Sequence, residues 1–118
     1  MQDKPIIKTA IPERRYQIGD FAASLLGEIE SGEGREFRYF LAFVPMGQRE
    51  PSLYVCAEPS PPIAAEEGRY RLRVINQSMS EVIDTGDQWG ELDAFADQAV
   101  RLGTQLLGLQ REQVIRLL

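Results

Sequence analysis

Between Trp89 and Leu109, the residues Trp89, Leu92, Phe95, Ala96, Ala99, Leu102, Gly103, Leu106 and Leu107 recur at steps of three and four. This spacing lines one face of an α-helix and predicts a long amphipathic helix that must lie on an apolar surface. Asp87 stands where an N-cap carboxylate can accept the free amides of the first turn. Gly108 stands where the chain leaves the helix.

Upstream the period changes to two. Glu36 to Val44 alternates Phe37, Tyr39, Leu41 and Phe43 with Arg38, Phe40, Ala42 and Val44. From residue 39 both faces are apolar, as in a strand covered on both sides. Leu53, Val55 and Ala57 alternate with Tyr54, Cys56 and Glu58 in a second strand. Tyr70, Leu72 and Val74 alternate with Arg69, Arg71 and Arg73 in a third, over Arg69 to Asn76. Glu81 to Thr85 reads as a short strand through Val82 and Ile83. Tyr16 to Glu30 fits either period, but Gly19 and Gly27 interrupt a helix there. The turn formers Ser31-Gly32-Glu33-Gly34-Arg35 lead straight into the next strand, so a hairpin follows, with a strand over about 22–31. A short strand near Tyr16 to Ile18 can precede it.

These elements predict an α+β fold: an antiparallel β-meander of four to six strands with one long C-terminal amphipathic helix packed on one face. A short terminal helix is expected over Arg111 to Leu118, from the spacing of Val114, Leu117 and Leu118. Residues 1–15, with Pro5 and Pro12, read as an extended N-terminal arm ahead of a single domain over 16–118.

Composition narrows the chemistry. The 118 residues are 43% hydrophobic and 26% charged, which is ordinary for a globular domain. No apolar run approaches the roughly 20 residues that span a bilayer, and Ile6-Ile7 is too short for the core of a secretory signal. A cytoplasmic protein without a membrane partner is expected. Histidine is absent and Cys56 is the lone cysteine, which removes the commonest general base, the commonest metal ligand and any internal disulfide. Carboxylate or lysine chemistry remains open, but the balance moves away from an enzyme. Nothing in the sequence asks for a cofactor or a metal. The net charge of −5 is uneven: residues 74–118 hold three basic and seven acidic side chains.

Four groups of residues stand out. Arg69, Arg71 and Arg73, with Arg38 and Tyr54, can make a basic, aromatic sheet face of the kind that binds single-stranded nucleic acid; they can equally pair with Glu58 or Glu81 across strands. Cys56 reads as a small buried hydrophobe rather than a nucleophile. Asp84, Asp87, Glu91 and Asp93 lack the spacing of a calcium loop and read as helix-terminus carboxylates; Glu28 and Glu30 read as a solvated pair. The last group is surplus apolar surface. Phe40, Val44, Ile75 and Leu26 face away from the side a single helix can cover, and Val114, Leu117 and Leu118 are apolar beyond it. Unburied, Phe40, Val44, Ile75, Leu117 and Leu118 form an interaction surface for a second copy of the chain, in a homodimer, or for another protein. Alternatively the N-terminal arm, with Ile6, Ile7 and Ile11, folds over that face. The leading expectation is a small non-enzymatic interaction module, with nucleic-acid binding second.

Overall fold

A computed structural model describes residue 1 and residues 3–118. The strands are β1 (Ile7–Ile18), β2 (Phe21–Ser31), β3 (Tyr39–Pro45), β4 (Leu53–Pro59), β5 (Tyr70–Ile75), β6 (Ser80–Thr85) and β7 (Val114–Arg116); the helix α1 is Leu92–Leu106. They form one antiparallel sheet of seven strands in the order β6-β5-β4-β3-β2-β1-β7, with α1 packed against it. Among the described residues no helix is long and apolar enough to cross a membrane.

Most of the meander follows the alternation in the sequence. On one face Leu25, Leu41, Phe43, Leu53, Val55, Leu72 and Val74 meet Trp89 and the Phe95, Ala96, Ala99 and Gly103 face of α1. Each fully buried Leu or Phe there is worth about 1.5–3 kcal/mol. Small residues at 96, 99 and 103 let the helix lie close, and Phe43 fills the space beside Gly103. Gly108 ends the helix as expected. It takes φ of +69°, Leu109 N–H donates to Thr104 O at 2.7 Å, and Gly108 N–H donates to Gln105 O at 3.3 Å. These two bonds satisfy carbonyls the last turn leaves open.

Four expectations are corrected. The strand count is seven rather than four to six, because both ends of the chain join the sheet. The N-terminal arm over 1–15 is a strand from Ile7 onward, paired with β2 along its length. Pro12 is tolerated because β1 is irregular beside it and, among the described residues, its outer side carries no strand at that point. The terminal helix over Arg111–Leu118 is β7 instead, with Val114 opposite Ile18 and Arg116 opposite Tyr16. Eight residues cannot hold a helix unaided, and β-branched Val114 and Ile115 favour the free edge of β1. Finally, Asp87 does not cap α1. It lies in a 3₁₀ turn, Asp87–Gly90, where its carboxylate accepts the Arg69 backbone N–H at 2.8 Å. Glu91, with extended backbone (φ −103°, ψ 133°), stands at the N-cap of α1 instead, and the Tyr70 ring packs against Gly90 just before it.

Pairing between β2 and β3 stops at Leu26. Beyond it, Ile7–Ile11 and Gly27–Ser31 form a two-stranded ribbon that carries Ile7 and Ile29 onto the sheet's second face.

Candidate interaction surface

The second face has its own core of Phe37, Phe40, Ala42, Tyr54, Cys56 and Ile75, with Met1, Ile7, Leu26 and Ile29 packed against it. Phe40 is 2% exposed and Ile75 0%, so these two have no surface to offer a partner. The cover comes from the chain's own N-terminus. Pro5 is buried, Asp3 pairs with Arg35 at 3.1 Å and accepts the Ser80 hydroxyl, and Lys4 pairs with Glu50. Gly32 N–H donates to Ile6 O at 2.9 Å, which ties this segment to the end of the ribbon.

The cover is partial. Ala22 remains exposed on the same face, with Ser24, Leu26 and Val44 half-buried across β2 and β3. Beside them runs β7. Register places Ile115 opposite Gln17, and Leu117 N–H donates to Arg15 O at 2.7 Å. Ile115 and Leu117 therefore share this open part of the face, whereas Val114 turns to the helix side with Ile18 and Tyr16. The apolar residues of this terminal segment are all open: Val114 43%, Ile115 44%, Leu117 62% and Leu118 55%. Of the expected surface, Val44, Leu117 and Leu118 keep exposed area and Phe40 and Ile75 do not. Ile115 lies outside the helical spacing of Val114, Leu117 and Leu118, so the sequence does not point to it. Val82 and Ile83 on β6 were read as a strand, but not as its open outer edge.

On the helix side, where the sheet runs out past α1, a cleft of about 440 Å³ is lined by Arg14, Tyr16, Ala96, Val100, Val114 and flanking polar groups. Its rim is self-neutralised, since Arg14 pairs with Asp93 and Arg101 with Asp97. Trp89 and Tyr39, the residues that would line a pocket between sheet and helix, are closed into the core. Trp89 Nε1 donates to Asp84 at 3.1 Å, and Tyr39 stacks on Phe95 at 5.7 Å between ring centroids.

The basic residues do not assemble into an open cationic face. Arg71 and Arg73 converge on Glu58, at 3.8 and 2.9 Å, and Arg69 lies 3.6 Å from Asp87. Arg38 sits over the Tyr39 ring at 4.6 Å and donates to Gly90 O at 3.2 Å. Tyr54 is buried against Phe40, and that burial raises its phenol pKa. Cys56 is fully buried and burial pushes its thiol strongly up, away from the reactive thiolate. Among the described residues no group of three or more Cys, Asp or Glu side chains is placed to hold a metal ion. No family model, curated protein or solved structure matches the chain.

Proposed function

We propose that this chain is a non-catalytic interaction module that associates with a second copy of itself through β7. The observation that carries this reading is the terminal strand itself. It holds exposed apolar side chains on both faces, and its outer backbone edge has no partner among the described residues. Proteins normally guard such an edge with lysine, proline or a covering segment.

Antiparallel pairing of β7 with a two-fold-related β7 satisfies that edge and is self-complementary. Centred on Ile115, it sets Ile115 beside its own copy and Arg116 opposite Val114. No like charges then face each other. The open part of the second face, with Val44, Ile115 and Leu117, lies next to the same axis and adds apolar contact.

Light scattering after size exclusion tests this at micromolar to high micromolar concentration. The expected result is a dimer that Ile115→Lys converts to a monomer with an unchanged circular dichroism spectrum. A native chain that stays monomeric throughout that range overturns the proposal.

A further inference from the structure

The sheet's other edge has a different character. β6 reads Ser80-Glu81-Val82-Ile83-Asp84-Thr85, and the four residues from Glu81 to Asp84 are all exposed. Val82 and Ile83 are 37% and 45% open, so apolar side chains stand in solvent on a strand that, among the described residues, β5 alone flanks.

Backbone alternation tells which groups are free. Met79 O accepts from Asn76 N–H at 2.9 Å, and Glu81 pairs with Val74, so Met79 and Glu81 face β5. At the far end Gly86 N–H donates to Tyr70 O at 2.9 Å, and Asp84 pairs with Leu72, so they face β5 as well. Ile83 is the extra residue of a bulge between these two stretches. Ser80, Val82 and Thr85 are left with their N–H and C=O groups turned outward. Among the described residues nothing pairs with them.

Charge selects the occupant. From Val74 to Val100 the chain has no lysine or arginine and six carboxylates, two of them, Glu81 and Asp84, on β6 itself. A second β6 is a poor partner: in the fully overlapped antiparallel register Glu81 faces Asp84 of the other copy, with no cation on either strand. A strand carrying cations is a good one. β5 has that composition, Arg-Tyr-Arg-Leu-Arg-Val from Arg69 to Val74, but on the inner edge of β6 it sets Val74 and Leu72 opposite Glu81 and Asp84, so a strand on the outer edge must pair one residue out of step with that register to bring its cations beside the carboxylates.

We propose that β6 is a strand-addition site for an extended basic segment of another protein, one that alternates lysine or arginine with aliphatic residues. Its main chain pairs with Ser80 and Val82. Its cations lie beside Glu81 and Asp84, and its aliphatic side chains lie beside Val82. This site is at the opposite edge from β7 and does not depend on self-association there.

The probe is an acetylated, amidated peptide with the sequence of residues 69–75, compared with the same peptide carrying glutamate at each arginine. Both are titrated into ¹⁵N-labelled full-length chain. The basic peptide is expected to shift the amides of Ser80, Val82 and Thr85, to slow their hydrogen exchange, and to weaken with added salt. The acidic peptide is expected to leave them unmoved. Val82→Pro removes only an outward donor and should weaken the basic peptide by about fivefold, since the ladder bond given by that N–H is lost. Glu81→Lys should weaken it about fivefold, the size of one cross-strand charge pair lost. Should Val82→Pro fail to fold, Glu81→Lys and the two peptides decide. Equal binding of both peptides, shifts centred on another surface, or unchanged affinity in Glu81→Lys overturns the proposal.

Discussion

Replacing Gly103 by alanine should destabilise the protein, against the ordinary effect of that change in a helix. An exposed glycine-to-alanine substitution in a helix interior gains about 1 kcal/mol. Here a Cβ would lie 2.0, 2.4 and 2.8 Å from three atoms of the Phe43 ring. Ordinary contact begins near 3.4 Å, so helix or ring must withdraw by more than an ångström. Phe43 is fully buried beneath α1 and cannot swing into solvent. Overpacking of this kind costs about 1–3 kcal/mol, and an approach of 2.0 Å to a ring with no route to solvent places this one at the upper end. Subtracting the propensity gain leaves a net loss of about 2 kcal/mol, or a Tm lower by about 8 °C for a chain of this size.

Thermal and urea unfolding followed by Trp89 fluorescence measure the loss directly. A double-mutant cycle with Phe43→Leu isolates the contact: the shortened side chain should recover about 1 kcal/mol in the alanine background. Gly108→Ala serves as the control. Among the described residues nothing lies within 4 Å of its Cβ, so the φ of +69° alone opposes it, at a loss of about 1 kcal/mol with no coupling to Phe43. A Gly103→Ala protein more stable than the native one, with no coupling to residue 43, would refute the seating of α1 on Phe43.

Three further outcomes follow from buried and half-buried groups on the second face. Cys56 should be unreactive toward an aromatic disulfide in the native state and react only after unfolding, measured by thiol release with and without urea. Because burial raises the folded thiol's pKa above its unfolded value of about 8.5, only the unfolded chain ionises as pH rises. Its effect on stability is therefore nil below about pH 8.5 and is a loss of about 1.4 kcal/mol per pH unit above it. Urea melts of native and Cys56→Ala protein at pH 7.5 and 9.5 isolate that slope. Glu58→Gln should lower stability by about 1–3 kcal/mol, since it leaves half-buried Arg71 and Arg73 without their shared carboxylate, and an Arg73→Met second substitution should restore part of the loss.

How far the fold was legible depended on whether a segment's period and its surroundings agreed. β3, β4 and β5 alternate cleanly, and α1 has a long apolar stripe, so local pattern and tertiary position coincide. β2 was recovered through its glycine loop despite a mixed period. The two ends of the chain were misread for one reason: each takes its form from a partner distant in sequence. Val114, Leu117 and Leu118 have helical spacing, yet the free edge of β1 decides for a strand. Ile7 to Pro12 lies against β2 although proline and mixed charge suggested an arm. The candidate surface suffered from the same blindness. Alternation placed Phe40 and Ile75 correctly on the face away from α1, but only the fold brings Met1, Pro5 and Ile7 over them. Pairing of Arg71 and Arg73 with Glu58 was an open option in the sequence, because the register of β4 against β5 was unknown; Glu58 opposite Arg71 fixes it.

The apolar surplus that sequence reading found is thus divided rather than removed. A sheet with one helix leaves a second face bare, and this chain closes the central part of it with its own N-terminus, held by Asp3, Lys4 and the Gly32–Ile6 backbone bond. That closure does not extend along the margins, because the covering segment reaches only the first residue of β6, where Asp3 accepts the Ser80 hydroxyl, and leaves Val82, Ile83 and β7 open. Exposed aliphatic groups consequently gather at β6 and β7, where backbone groups are also unpaired. The two margins differ in what they exclude. β6 carries carboxylates and repels its own copy, while β7 carries one arginine among aliphatic residues and tolerates its own copy. A single protein with a self-compatible edge and a self-repelling one can dimerise at the first without polymerising through the second, since a two-fold axis at β7 leaves each β6 pointing outward and still open to a cationic strand.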